Sequence, residues 1–365
     1  MKVLWVTNVP SPYRVDFFNE FGKYVDLTVL FEKKTSDERD KSWLDYKFEN
    51  FTGVFLKGKS INTDSAICPD VVRYVNDKTY EHIVVTSISS PTGIIAISYM
   101  RIHHIEYWIE GDGGFAKTGK GIKNRLKTYM IMGAKGYFST SRVHDEYYLT
   151  YGASKDKIHR YPFTSIKKKD LLHADELRCK KVALRNELGI NEDRIIISVG
   201  QFIYRKGFDV LLRAASKIDS DIGIYIIGGE PTVDYKQLVK RYELKNIHFI
   251  GFENKETLCK YYAASDMFVL PTREDIWGLV INEAMAFSLP IITTNRCIAG
   301  LELVEPGKNG FIIPPDDYGQ LARAIMSVFN GERIHEYGEK SRAIINDYTI
   351  EKMADDHVLI LEGEL

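Results

Sequence analysis

Two carboxylates, Asp275 and Glu283, stand in the stretch Pro271-Thr272-Arg273-Glu274-Asp275-Ile276-Trp277-Gly278-Leu279-Val280-Ile281-Asn282-Glu283-Ala284-Met285-Ala286. The stretch leaves an apolar run, turns through acidic residues and becomes helical near Gly278. The unpaired N–H groups and the positive dipole end of such a helix start favour an anion, and a diphosphate suits the place. Asp275 precedes the helix and Glu283 lies about one and a half turns inside it, so the pair reaches different parts of one extended ligand. Carboxylates there would accept hydrogen bonds from sugar hydroxyls. With no ligand in view, Asp275 reads equally as a helix cap and Glu283 as a solvated side chain.

A second segment, Val199-Gly200-Gln201-Phe202-Ile203-Tyr204-Arg205-Lys206-Gly207-Phe208-Asp209, carries two adjacent cations between a strand and a helix. In open α/β sheets ligands gather at the carboxyl ends of strands, and Arg205 and Lys206 there suit a pyrophosphate leaving group in place of a magnesium ion. A solvated basic loop is the alternative. Glu110 and Asp112, in Trp108-Ile109-Glu110-Gly111-Asp112-Gly113-Gly114-Phe115, are candidates to hold a sugar hydroxyl among glycines that permit close approach; an ordinary Asp-Gly-Gly turn is the other reading. Pro12, Tyr13 and Arg14 close a stiff loop after the first strand, with Arg14 facing either a cleft or solvent.

These loops need strands and helices to hold them. Short apolar runs alternate with amphipathic helical stretches along most of the chain, which predicts an α/β protein of parallel sheets. Strands are expected near residues 2–7, 25–31, 82–86, 106–110 and 136–139, and again near 195–200, 222–228, 247–251, 267–271 and 290–294. Helices are expected over 13–21 and 122–132. The 365 residues allow two domains. The rhythm breaks after Pro162, so the domains are expected at 1–166 and 167–345, with a last helix over about 346–365 packing back on the first. A formal net charge of -1 gives no global reason to expect nucleic acid. The four cysteines, with no CxxC pair, argue against a disulfide framework and a zinc site, and fit a reducing cytoplasm. The first residues read as a strand and not a signal peptide, and no run approaches a membrane span.

Together the 199–209 and 271–286 segments resemble the C-terminal domain of retaining GT-B glycosyltransferases of family four, the group 1 glycosyltransferases of polysaccharide biosynthesis, whose Arg-Lys-Gly loop is followed by an E-x7-E element. Here that element is Asp275-x7-Glu283. The resemblance runs through most of residues 195–315, supported by Ile226-Ile227-Gly228-Gly229-Glu230, Phe249-Ile250-Gly251-Phe252 and Glu305-Pro306-Gly307-Lys308-Asn309-Gly310-Phe311. It implies a GT-B fold, two Rossmann-like domains with parallel sheets facing across a cleft, the first binding acceptor and the second a nucleotide-sugar donor. It also implies that Asp275 contacts the donor sugar, Glu283 the ribose, and Arg205 and Lys206 the diphosphate. Gly200, Gln201, Gly228, Gly251, Phe252, Ile276, Trp277, Gly278 and Leu279 would line the donor. Asp275 stands where Glu is commoner and Gln201 where many members have Arg, which bears on the donor sugar more than on the reaction class.

The implied reaction transfers a sugar with retention from a nucleotide-diphosphate donor, UDP-sugar before GDP-sugar, to a glycan or lipid-linked glycan of cell-surface polysaccharide. No Asp-x-Asp element stands in a convincing context, so neither metal nor cofactor is expected and activity should survive a chelator. The basic-then-apolar stretch 117–132 is a candidate contact with anionic headgroups, placing the protein in the cytoplasm at the inner membrane face; a core helix with a solvated start is the alternative. Three rivals remain: an inactive sugar-nucleotide-binding relative, a nonhydrolysing sugar-nucleotide epimerase, whose His and Glu cluster is not seen, and a Rossmann dehydrogenase, which lacks G-x-G-x-x-G after the first strand.

Overall fold

The computed structural model describes residues 1–34, 47–117, 119, 121–331 and 333–365. The chain divides into two compact units, Met1–Thr164 with Ile350–Leu365, and Ser165–Thr349.

The first unit runs β1 (Lys2–Thr7), α1 (Pro12–Phe21), β2 (Asp26–Phe31), β3 (Thr52–Phe55), β4 (Lys59–Ser60), β5 (Ala66–Ile67), α2 (Val71–Val75), β6 (His82–Val85), α3 (Pro91–Ile102), β7 (Trp108–Glu110), α4 (Ile122–Met132), β8 (Gly136–Ser139), α5 (Arg142–Thr150) and β9 (Ile158–Arg160). Seven strands form a parallel sheet in the order β3-β2-β1-β6-β7-β8-β9. Its central strands are apolar on both faces because helices cover both sides. Val3, Leu4, Trp5 and Val6 of β1 are fully buried. Ser11 and Pro12 start α1, proline costing nothing where no intrahelical acceptor exists. The helix turns Phe17, Phe18 and Phe21 onto the edge of Trp5 at 5.5, 5.4 and 5.9 Å.

The second unit runs α6 (Lys168–Arg178), α7 (Lys181–Glu187), β10 (Arg194–Val199), α8 (Phe208–Ala215), β11 (Ile222–Ile227), α9 (Val233–Arg241), β12 (Ile247–Ile250), α10 (Lys255–Ala264), β13 (Met267–Leu270), α11 (Leu279–Ala286), β14 (Ile291–Thr294), α12 (Ile298–Leu303), β15 (Gly310–Ile313), α13 (Tyr318–Phe329) and α14 (Ile334–Ile345). Six strands form a parallel sheet in the order β12-β11-β10-β13-β14-β15. Its core joins the Ile-rich strands to the apolar faces of α8 and α13, through residues such as Leu211, Leu212, Leu321 and Ile325. The strand order reverses between β10 and β13, and ligands of open α/β sheets bind at such a switch point. The two cation- and acid-bearing segments of the sequence are the loops that leave these two strands.

The last helix, α15 (Ile350–Glu362), returns to the first unit and packs on α1. His357 sits among aromatic rings there, 4.8 Å from Phe17 and 4.4 Å from both Phe138 and Tyr161 between ring centres. Burial pushes its imidazole down to about 3, so it is neutral. Its 3.9 Å approach to Glu110 is therefore not an ion pair.

Candidate functional site

Arg205 and Lys206 form a single 3-10 turn between β10 and α8. Gly207 ends that turn with φ +70°, and a Cβ there would lie 2.1 Å from the Pro271 carbonyl oxygen. Only glycine lets the turn press against the loop after β13. As a result Lys206 Nζ donates to Asp275 Oδ2 at 2.6 Å, and Arg205 Nη1 lies 3.3 Å from Asp275 Oδ1. Arg205 also donates to the Glu274 carbonyl at 2.8 Å. The two cations are thus not a bare basic patch. They are paired with the first acid of the Asp275-x7-Glu283 element, which an incoming anion would have to share. Asp275 is 9% exposed, and its backbone is tied to the next loop, its N–H donating to the Arg296 carbonyl at 2.8 Å.

Gly278 precedes α11 with φ +102°, a conformation costly for any other residue, and it swings the chain into the helix directly beside Asp275. Leu279 and Val280, in the first turn, have no intrahelical acceptor for their N–H groups. Ile276 is exposed, as are Gln201, Gly251 and Phe252, whereas Gly200 and Gly228 are half-buried at the ends of their strands. Trp277, expected to line the donor, turns its indole inward: it is 3% exposed and donates from Nε1 to Asn282 Oδ1 at 2.8 Å. Its ring anchors the loop. Glu283 is not the solvated carboxylate of the alternative reading either. It is half-buried and accepts from the Tyr262 hydroxyl at 3.0 Å. Burial raises its pKa above the ordinary glutamate value, against the opposing effects of Tyr262 and Lys255.

In the first unit, Arg14 faces neither a cleft nor solvent. It is 2% exposed and its guanidinium bridges Glu110 Oε1, at 2.6 Å, and Asp112. Neutral donors reach the two acids as well. Glu110 Oε1 accepts from Tyr161 at 2.8 Å and Oε2 from Thr86 at 3.0 Å, while Asp112 Oδ2 accepts from Tyr13 at 2.7 Å. Glu110, 1% exposed, is therefore corrected from a sugar-binding candidate to a buried counter-ion of Arg14. Asp112 keeps a side chain 39% exposed and remains at the surface of this network, with Tyr13 half-buried and Pro12 exposed beside it.

Residues 180–350 match the model of the family described as glycosyl transferases group 1. An uncharacterized glycosyltransferase of Haemophilus influenzae is 32% identical over 179 residues, covering 47% of this chain and 50% of the relative. Residues 180–350 are thus similar to the group 1 glycosyl transferases. The O-antigen chain mannosyltransferase C of Escherichia coli is 29% identical over 172 residues, 46% of each chain. This chain spans about half the length of the curated relatives it matches. The structure of HepE of Anabaena in complex with UDP superposes with a TM-score of 0.78 at 15% identity, covering 100% of both chains. At that identity the likeness concerns the fold, which is of the GT-B type.

Within the matched segment, spacing did not single out Tyr262, Lys255 and Arg273. Tyr262 and Lys255 come from α10, and only the packing of α10 beside α11 sets Tyr262 against Glu283. Removing the Tyr262 hydroxyl takes a hydrogen bond from the ionised carboxylate, so Tyr262→Phe should raise the Glu283 pKa further. If ionised Glu283 holds the donor, the acid limb of donor binding moves to higher pH in the variant, while affinity well above that limb stays within about twofold. Calorimetric titrations at a series of pH values read this. An unmoved acid limb would break the link between Tyr262 and Glu283.

Proposed function

We propose that the protein is a retaining glycosyltransferase that moves a sugar from a nucleotide-diphosphate donor, UDP-sugar before GDP-sugar, to a glycan or lipid-linked glycan in cell-surface polysaccharide biosynthesis. The observation that carries the reading is the meeting of Arg205, Lys206 and Asp275 with the N-terminus of α11 at the β10–β13 switch point, inside a group 1 glycosyl transferase domain. Negative charge developing on a departing diphosphate would be met by two cations and unpaired amides already in place. Asp275 would take the donor-sugar hydroxyls and Glu283 the ribose hydroxyls. No metal or cofactor enters the proposal. The UDP named for HepE and the O-antigen named for the mannosyltransferase are consistent with this donor and acceptor class.

A lipid-linked acceptor is supported by α4. Only Met130 and Ile131 of that helix are buried, so the core-helix alternative holds for its C-terminal end alone. Ile122, Leu126, Tyr129 and Met132 are exposed, Ile122 by 85%. Lys123 and Arg125 are exposed among them, and the sequence has no acidic residue between Asp112 and Asp145. Apolar and cationic side chains on one exposed helix suit an anionic membrane surface. No helix of the described residues is long and apolar enough to cross a membrane.

The test is a chelator-containing assay against UDP- and GDP-sugars, following nucleotide diphosphate release with and without membrane lipid extract, beside Glu283→Ala. Release from one donor, stimulated by lipid and lost in the variant, supports the reading. Binding of a donor without release under any condition turns it towards a sugar-nucleotide sensor. Lys123→Glu with Arg125→Glu should weaken sedimentation with phosphatidylglycerol vesicles by at least about tenfold, at about 1 kcal/mol per cation removed. Equal sedimentation would remove the membrane from the proposal.

A further inference from the structure

Arg273 lies two residues before Asp275, and its charge invites a role as a third phosphate ligand. Its guanidinium is engaged elsewhere. Nη1 donates to the Tyr204 carbonyl at 2.6 Å and to Asp209 Oδ1 at 2.9 Å, and Nη2 to Asp209 Oδ2 at 2.8 Å. Nε donates to Asp316 Oδ1 at 2.8 Å, and Nη2 lies 2.7 Å from the same oxygen. Four of the five N–H groups of the guanidinium donate in these hydrogen bonds, and the remaining contact is an ion pair. The guanidinium carbon also sits 3.9 Å from the centre of the Tyr204 ring. Its side chain is 13% exposed, against 45% for Arg205.

What Arg273 grips is the turn that carries the cations. Besides the Tyr204 carbonyl and ring, its own backbone N–H donates to the Arg205 carbonyl at 2.8 Å, and the neighbouring Thr272 hydroxyl donates to the same oxygen at 2.8 Å. Asp209, on α8, and Asp316, after β15, fix the far side of the guanidinium. We infer that Arg273 is a positioning residue, clamped by Asp209, that holds the Tyr204–Lys206 turn where Arg205 and Lys206 meet a nucleoside diphosphate. The inference rests on the donor-site reading above. Preorganised cations lose no free energy to reorientation when the anion arrives.

Lysine preserves the charge of Arg273 but supplies neither the planar fork nor the stacked face. Arg273→Lys should therefore weaken UDP or GDP, whichever the unsubstituted chain binds, by about tenfold, while the matching nucleoside without phosphates keeps its affinity within about twofold. Asp209→Asn should do the same, and the double variant should be no worse than the weaker single one, because both break one clamp. Amide hydrogen exchange at residues 203–207 should quicken in both variants. The inference is overturned if nucleoside and diphosphate weaken alike, or if Arg273→Lys weakens the diphosphate while Asp209→Asn does not, which would make Arg273 a direct ligand. Unchanged exchange would overturn it too. Were neither diphosphate to bind the unsubstituted chain, the donor reading would fall, and exchange would still decide whether Arg273 holds the turn.

Discussion

Arg14→Leu is expected to lower the stability of the first unit by about 3–5 kcal/mol, the cost of leaving a buried charge without its partner. Glu110 has no route to solvent at 1% exposure, and only Arg14 among its hydrogen-bond partners carries charge. Burial opposes the guanidinium charge of Arg14, and the two acids overcome it, holding its pKa well above the usual arginine value. The leucine variant keeps the apolar stem but strands one carboxylate in a place that water does not reach. Pairing Arg14→Leu with Glu110→Gln should recover a large part of the loss, since the amide removes the orphaned charge and still accepts from Tyr161 or Thr86. Urea unfolding followed by tryptophan emission would read both, with Trp5 donating its indole N–H to Thr86 at 2.8 Å beside the network. A loss below about 1 kcal/mol would mean that water reaches Glu110, and would reopen it as a ligand group.

The second large effect is catalytic. Lys206→Ala should lower the turnover of the proposed transferase about 30- to 800-fold, as expected when one preorganised donor worth about 2–4 kcal/mol is removed from a developing anion. The structure adds a second reason. With Lys206 absent, Asp275 keeps Arg205 at 3.3 Å but loses its closer partner at 2.6 Å, leaving more negative charge where the diphosphate must sit. Adding Asp275→Asn to Lys206→Ala should therefore restore part of the nucleoside diphosphate affinity without restoring turnover, because the carboxylate assigned to the donor sugar has gone. Single-turnover rates and calorimetry separate the two. A turnover loss under about threefold for Lys206→Ala would remove the lysine from the leaving-group site.

Much of the architecture follows from short-range pattern. The Ile-rich runs of β10 and β11 and the helical stretch of α1 announce themselves because a buried parallel strand and a half-buried helix each demand a periodicity that a few residues display. The loops after β10 and β13 were legible for a different reason: charged side chains at strand ends, before a helix start, point to an anion. The apolar helix α3, by contrast, carries Ile94-Ile95-Ala96-Ile97, a run that reads as strand as readily as helix.

Local pattern along the chain reveals the rhythm of two parallel sheets and the places where chemistry stands at their ends. Which of those places meet is a property of the assembled sheets. Lys206 and Asp275 are separated by 69 residues, Arg14 and Glu110 by 96, and Arg273 and Asp209 by 64. Each pairing exists because the strand order puts one loop beside another, or one helix over a strand. Local periodicity says that a strand forms but not which strand lies next to it, so partners of this kind stay unreadable until the sheet is assembled.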